Sequence, residues 1–525
     1  MNRTRRDLAW LFLLSLAVRL AMAALISRPG YMDVAYYAAG AIRLARGGGL
    51  TEPFIWNYLS DPAGIPHPGF LYWMPLPSLL AAPFTALFPG SFFALQIPFV
   101  LFSALLPLIA YTLACEATGR RRAAWLAGLF AIFSGFFFPY WTLPETFAPF
   151  ALFGSLALWL AGNGRRETGS WKMDAGRWLL VGVLVGLAHL TRPDGILLLF
   201  VVTLALLTPP QPRTTHRAPC FIICHLPLVV LGYLLVTAPW FARNLSLIGA
   251  PLSPAGTRTL WLRTYDDLFC YRCDLSLHSY LAWGWGNILR SKLWALGVNL
   301  ERFLAEDCLV FLFPFVLVGL YRLRRCSPFA LSLIYLLLIY FLHSLAFTFP
   351  GPRGGFFHAS AAALPALFAA GAEGLEAAVT WAGRRRRWNL GQAQTVFATA
   401  AVVAAVALSA YAAVGKLPAW RDADEVYLEV GRWLARQGAE ETTVMVANPP
   451  GFWYYTRRPA VVVPNGDVRD LLEAAERYHV EYLLLDRNCP VSLAALYAGE
   501  ESHTRLVVVA SWGEEGEKAV LYAVK

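Results

Sequence analysis

Arg28-Pro-Gly-Tyr-Met-Asp33-Val-Ala-Tyr-Tyr37-Ala-Ala-Gly40 is the stretch on which the reading of this chain turns. Before it, Leu8 to Ile26 is almost wholly apolar and long enough to cross a bilayer. Asp33 then comes seven residues past Ile26, flanked by aromatics, at the far membrane surface. A helical pattern follows and ends in Gly47-Gly48-Gly49. A carboxylate at a lipid boundary is costly unless it is paired or used. Asp33 is therefore the candidate catalytic base; the alternative is a solvated loop acid or a helix cap.

Working outward, the composition is that of a membrane protein. Of 525 residues, 57% are hydrophobic and 15% charged, against about 25% charged in a soluble domain. Long apolar runs recur from Leu8 to about Val414, which makes the chain polytopic. The net charge of +10 does not point to nucleic acid, because Arg and Lys cluster in short loops between apolar runs, where they set orientation. The eight Cys are scattered. Cys270 and Cys273 form a lone CxxC with His278 nearby, a disulfide or half of a zinc site. The start Met1-Asn-Arg-Thr-Arg-Arg6 and the apolar run after it read as an uncleaved anchor, with no small-residue cleavage site.

Arg3, Arg5 and Arg6 place the N-terminus in the cytoplasm. The first outer loop then runs from 27 to 90. Inside it, Leu71–Phe84 is apolar but broken by three prolines, and reads as a helix embedded at the interface. Further spans end inside at Arg120-Arg121-Arg122, Arg165 to Arg177, Arg213 to Arg217, Arg322 to Arg325 and Arg384 to Arg387. Counting Leu71–Phe84 as a crossing would break this inner-Arg pattern. Two short runs, Leu179 to Leu190 and Ile196 to Leu207, are joined by Thr191-Arg192-Pro193-Asp194-Gly195, with Asp194 placed to cap the second helix. The fold class is mainly α, with about 11 transmembrane helices. Two domains are expected: a transmembrane catalytic domain over 1–415 and a small extracytoplasmic α/β domain over 416–525. In the second, helical patterns at Ala423–Gln437 and Val468–His479 alternate with β-rich runs at Thr443–Val446, Ala460–Val463, Tyr482–Leu485, Leu506–Val509 and Ala519–Val524. No glycine-rich phosphate loop opens its helices, so it is expected to hold no catalytic residue.

By this topology the polar groups gather at outer span ends: Asp33, Glu145, Arg192, Asp194, Arg243, Arg258, Arg263, Arg353 and His358. A channel lines the middle of its spans with charge; an outer rim of charge suits interfacial chemistry on a lipid-borne substrate. Glu145 before a span equally suits a helix dipole. Arg192 and Asp194 can pair across their turn, His358 can be a packed histidine, and Arg243 or Arg353 can anchor to head groups.

These residues carry a resemblance. Asp33 with Tyr36 and Tyr37, Gly47 to Gly49, Leu71-Tyr72-Trp73, Leu143-Pro144-Glu145 and Leu190-Thr191-Arg192-Pro193-Asp194-Gly195, in that order, resemble the GT-C glycosyltransferases, in the group of protein O-mannosyltransferases and lipid A aminoarabinose transferases. The resemblance covers roughly the first 250 residues well and the later spans by topology. It implies transfer of a sugar from a polyprenyl-phosphate carrier to a lipid, glycan or protein acceptor on the outer face of the plasma membrane. Asp33 takes the role of base and Glu145 that of a supporting acid. Arg243 and Arg353 are candidates for the donor phosphate, with Tyr36, Tyr37, His67, Arg192, Asp194 and His358 in support. The chemistry agrees: phosphate leaves without a strong acid, an acceptor hydroxyl needs a base, and Arg suits the leaving phosphate. Neither a paired Asp-Glu nor an Asp-x-Asp signature occurs in the first outer loop after span one. No cofactor is indicated, and a divalent metal remains an open possibility. The alternative class is a transporter or flippase of a lipid-linked saccharide, which calls for interrupted helices repeated in both halves; only the first half has such a pair.

Overall fold

The computed structural model of the chain describes residues 3–163, 171–207, 218–423, 425–438, 441–513 and 518–525. The expected inner clusters at Arg165–Arg166 and Arg213–Arg217 lie outside those residues. The chain is a mainly helical, multi-span membrane protein with a small sheet towards its C-terminus. Among the described residues, seven helices are long and apolar enough to cross a membrane, including Arg3–Leu25, Phe92–Thr118, Ser327–Ala346 and Gly351–Arg386. The other four expected crossings are built as shorter helices: Arg121–Ile132, Phe147–Asn163, Leu197–Leu207 and Phe313–Leu323, of 12, 17, 11 and 11 residues. The run read as starting at Leu179 is not short, because its helix begins at Trp171 and lasts 21 residues. The helix expected to lie at the interface is built as Leu76–Leu87, starting five residues after Leu71, with Pro75 and Pro77 fitting a helix start.

Two compact units divide the chain. The first takes Met1–Leu25, Gln96–Pro251 and Arg290–Lys416; the second takes Ile26–Leu95, Leu252–Leu289 and Leu417–Lys525. The second unit holds the C-terminal region from Leu417 on. The second unit also takes in the loop 27–90, which the composition shift at Lys416 does not announce.

In the first unit, helices approach until glycine is required. Gly319 in Phe313–Leu323 lies on the carbonyl of Ala370, and Gly374 in Leu364–Arg386 lies on the carbonyl of Phe315. A Cβ at either would collide with backbone, the small-residue packing that lets apolar helices associate in lipid. Charge is buried here as well. Asp7 accepts from Arg121 Nε and Nη2 at 2.6 and 2.7 Å and from Tyr111 at 3.0 Å. Glu373 and Glu376, both buried inside a span, hold Arg120, and Glu373 also takes Arg322 at 2.8 Å. Arg19, in a span read as almost wholly apolar, is fully buried; it donates to the Ala131 carbonyl at 3.0 Å and lies over Phe138 and Trp141.

The second unit is built on a six-stranded sheet, ordered Phe54–Ile55, Ala460–Val462, Thr443–Val446, Val480–Leu485, Ala519–Val524 and Leu506–Trp512. The first four run parallel to one another; Ala519–Val524 is antiparallel to both Val480–Leu485 and Leu506–Trp512. Its first strand comes from the loop 27–90, in register Phe54 to Ala460 and Ile55 to Val461. Ile55, Met445, Val461, Leu471 and Leu483 are buried together in its core. The expected helices appear as Glu425–Arg436 and Val468–Arg477, the latter opened by the Asp467/Asp470 capping box. An unexpected helix, Pro449–Thr456, lies between two strands. Asn448 Oδ1 accepts from Gly451 N at 3.0 Å to start it, and Pro449 fits its first position. Of the two readings of Cys270 and Cys273, the structure has the disulfide.

Candidate functional site

In the first unit the expected acid Glu145 sits in the turn ahead of Phe147–Asn163. It is completely buried, and its backbone N–H donates to Leu143 O at 2.8 Å. The next residue, Thr146, has its Oγ1 2.8 Å from His358 Nδ1. The His358 ring stacks on Phe147, with centroids 3.9 Å apart and planes 15° from parallel. Glu145 and His358 are thus held through adjacent residues of one turn. A second knot lies in the same unit. Asp194 accepts from Arg192 Nε and Nη2 at 2.9 and 2.8 Å, and His343 Nε2 stands 3.1 Å from its Oδ2. Arg192 also donates to Gly355 O at 3.2 Å. Of the two structural readings of Asp194, a helix cap or a partner of Arg192 across the turn, the structure has the pair, with His343 beside it. The bidentate pair fixes the broken turn to the wide turn Gly351–Gly355, three residues ahead of His358. Such π-type turns are uncommon and occur often at functional sites; Phe303–Asp307 and Leu342–Ala346 are two more.

In the second unit Asp33 occupies the first turn of Met32–Ala45, where the helix dipole favours a carboxylate. It is partly exposed. The helix is positioned by Tyr36 and Tyr37, both buried. Tyr36 donates its hydroxyl to Glu52 Oε1 at 2.5 Å, and the same oxygen accepts Phe70 N at 2.6 Å. Burial, and then the charge of Glu52, raise the Tyr36 pKa well above its ordinary value, so the phenol stays a donor. Trp73 meets Tyr36 edge to face at 4.6 Å and stacks on Trp56 at 4.1 Å. Ser78 Oγ donates to the Tyr37 carbonyl at 2.9 Å. The ring nitrogens of His67 face two backbone carbonyls, Nδ1 toward Pro68 at 3.1 Å and Nε2 toward Phe54 at 3.0 Å. That leaves His67 a structural job in the Thr51–Glu52/His67–Pro68 ladder.

The chain superposes along nearly its whole length on known structures. With ArnT from Cupriavidus metallidurans in the apo state, the TM-score is 0.60 at 15% identity, covering 97% of each chain. This is the GT-C glycosyltransferase fold. The same ArnT bound to undecaprenyl phosphate gives 0.58 at 16% identity, over 98% of this chain and 97% of that one. The oligosaccharyltransferase of Archaeoglobus fulgidus, in complex with Zn and sulfate, gives 0.59 at 14% identity, over 97% of this chain and 72% of that one. The sequence model for dolichyl-phosphate-mannose-protein mannosyltransferases matches residues 67–242. No curated protein sequence matches the chain.

Within this fold the two expected phosphate ligands stand differently. Arg243 lies over the ring of Trp240 at 4.6 Å and donates to Asn244 Oδ1 at 3.2 Å, late in the helix Ala218–Ile248. Arg353 is exposed in the Gly351–Gly355 turn. Four functional-looking residues escaped the sequence reading: Glu52, His343, Asp307 and Arg302. Asp307 accepts from Ser360 Oγ at 2.6 Å, and Arg302 bonds Glu306 at 2.6 Å and Pro352 O at 2.9 Å. Adjacent acids at the mouth of an apolar run, Glu306-Asp307, and Glu52 amid aromatics were the signals available.

Proposed function

We propose that this protein transfers a sugar from a polyprenyl-phosphate carrier to an acceptor on the extracytoplasmic side of the membrane. The observation that carries the reading is the match of fold along 97% of both this chain and ArnT. Undecaprenyl phosphate in one ArnT structure supports a polyprenyl carrier for this chain as well.

The roles are assigned by chemistry. Asp33 accepts the proton of the acceptor hydroxyl as that oxygen attacks the anomeric carbon; the carbon–oxygen bond to the carrier breaks and the phosphate leaves with its electron pair. Tyr36 and Glu52 act as positioning residues by fixing the Asp33 helix. Glu145 supports the reaction, with His358 and the Asp194 knot holding its surroundings. Arg243 and Arg353 are the candidate ligands of the leaving phosphate, whose oxygens a guanidinium fork matches. The Arg-rich inner loops support an outer position for Asp33, Glu145 and residues 416–525.

The test is purified full-length protein incubated with radiolabelled polyprenyl-phosphate sugars, each with and without a chelator, scoring donor consumption. Consumption of at least one donor is expected, with loss of turnover in Asp33→Asn. Failure of a well-folded protein to consume any donor, while it carries labelled lipid across proteoliposomes, would replace the enzyme by a flippase.

A further inference from the structure

The second unit contains a cavity of about 400 Å³ that the proposed reaction does not use. Three arginines line it: Arg43, Arg46 and Arg457. Its remaining walls are Gly48, Trp453, Ile65 and three prolines, with no acidic residue among them. Arg43 donates Nε to the Thr51 hydroxyl at 2.9 Å. Arg457 lies over the ring of Trp453 at 4.8 Å. Arg46 is exposed.

Gathering three guanidinium groups against rigid walls costs electrostatic energy unless something offsets it. The cost is visible at Arg457: the protein around it desolvates the group and the charge of Arg46 repels it, so its pKa falls below the ordinary value. Two backbone features hold the arrangement in place. Arg457 ends the helix Pro449–Thr456 at φ +61°, a left-handed conformation that Gly or Asn adopts with far less strain. Gly48 leaves room for Arg43, whose side chain would stand 2.8 Å from a Cβ there. All three sit at helix C-termini, Arg43 and Arg46 at the end of Met32–Ala45 and Arg457 at the end of Pro449–Thr456, where the helix dipole favours a cation; no acid in the walls neutralises the three together.

We propose that this pocket binds a phosphate group. Guanidinium forks match phosphate oxygens bidentately, and several together select a multiply charged oxyanion over a carboxylate. The phosphate belongs to a lipid headgroup or to a soluble phosphate ester, and both present the same oxygens.

The experiment uses full-length protein in detergent micelles and calorimetric titration, with Trp453 as a fluorescent reporter. The probes are inorganic phosphate, glycerol 3-phosphate and short-chain phosphatidic acid. Binding that weakens with salt is expected. The double variant Arg46→Gln/Arg457→Gln should weaken it more than about tenfold, the loss of charge-assisted hydrogen bonds; Arg432→Gln, exposed and outside the pocket, should leave it unchanged. Binding of phosphatidic acid alone assigns the site to a lipid headgroup, and binding of all three assigns it to phosphate as such. A second variant guards against misfolding. Arg46→Glu should lose binding while its unfolding temperature holds or rises, because a carboxylate beside Arg457 turns repulsion into attraction. No binding by any probe, binding that survives the double variant, or a clear drop in unfolding temperature for Arg46→Glu would overturn the proposal.

Discussion

Two groups of arginines in this protein are built on opposite principles. Arg192 is paired: Asp194 takes two of its N–H groups, Gly355 a third contact, and His343 completes the acid's shell. Arg43, Arg46 and Arg457 share a cavity with no acid in its walls. The first group is a structural knot whose charge is neutralised within the protein, and its removal should be felt as stability. The second leaves positive charge to be met from outside, and its removal should be felt as binding.

The largest effect should come from cutting the knot. Asp194→Ala strands a half-buried guanidinium, a loss that approaches the roughly 3–5 kcal/mol of breaking a buried pair, and denaturant unfolding in detergent should read it. A loss below about 1 kcal/mol, typical of exposed pairs, would dissolve the distinction between the two groups. The next largest effect is chemical. Asp33→Asn keeps the shape of a first-turn residue and removes a proton acceptor, so turnover should fall on the order of a hundredfold or more with the unfolding curve unchanged. Near-normal transfer would remove Asp33 from the base role.

Smaller still should be Tyr36→Phe. It leaves Glu52 with one donor fewer in a buried setting, a cost of about 1–3 kcal/mol. Because Tyr36 acts through the helix that carries Asp33, kcat should fall while donor KM holds. A fall in stability alone would leave Tyr36 with packing only. At the small end, Arg46→Gln should change stability by no more than about 0.5 kcal/mol, as for surface substitutions away from special features. Set beside Asp194→Ala in one unfolding series, it gives the sharpest form of the comparison.

Much of the fold was legible because its signals are local. Apolar length and Arg-ended loops mark crossings, and alternating β-rich and helical runs mark the sheet region. Asp33, with Tyr36 and Tyr37 after it, was visible because one acid stood out beside an apolar span. The helix Pro449–Thr456 was hidden because Phe, Trp and Tyr favour strands and two prolines read as a break. Glu373 and Glu376 were hidden inside a span, where only a partner from another helix makes a carboxylate tolerable.

The sequence alone determined that this chain lies in a membrane, that its C-terminal part is α/β, and that a carboxylate follows the first span. Those properties depend on side chains within a turn or two of each other. The tertiary structure alone decided that Phe54–Ile55 joins a sheet whose other strands begin at Thr443, that Asp194 pairs with His343, and that Arg46 meets Arg457 across hundreds of residues. Strand register and charge pairing are settled by which surfaces can be buried together, and a distance along the chain carries no record of that.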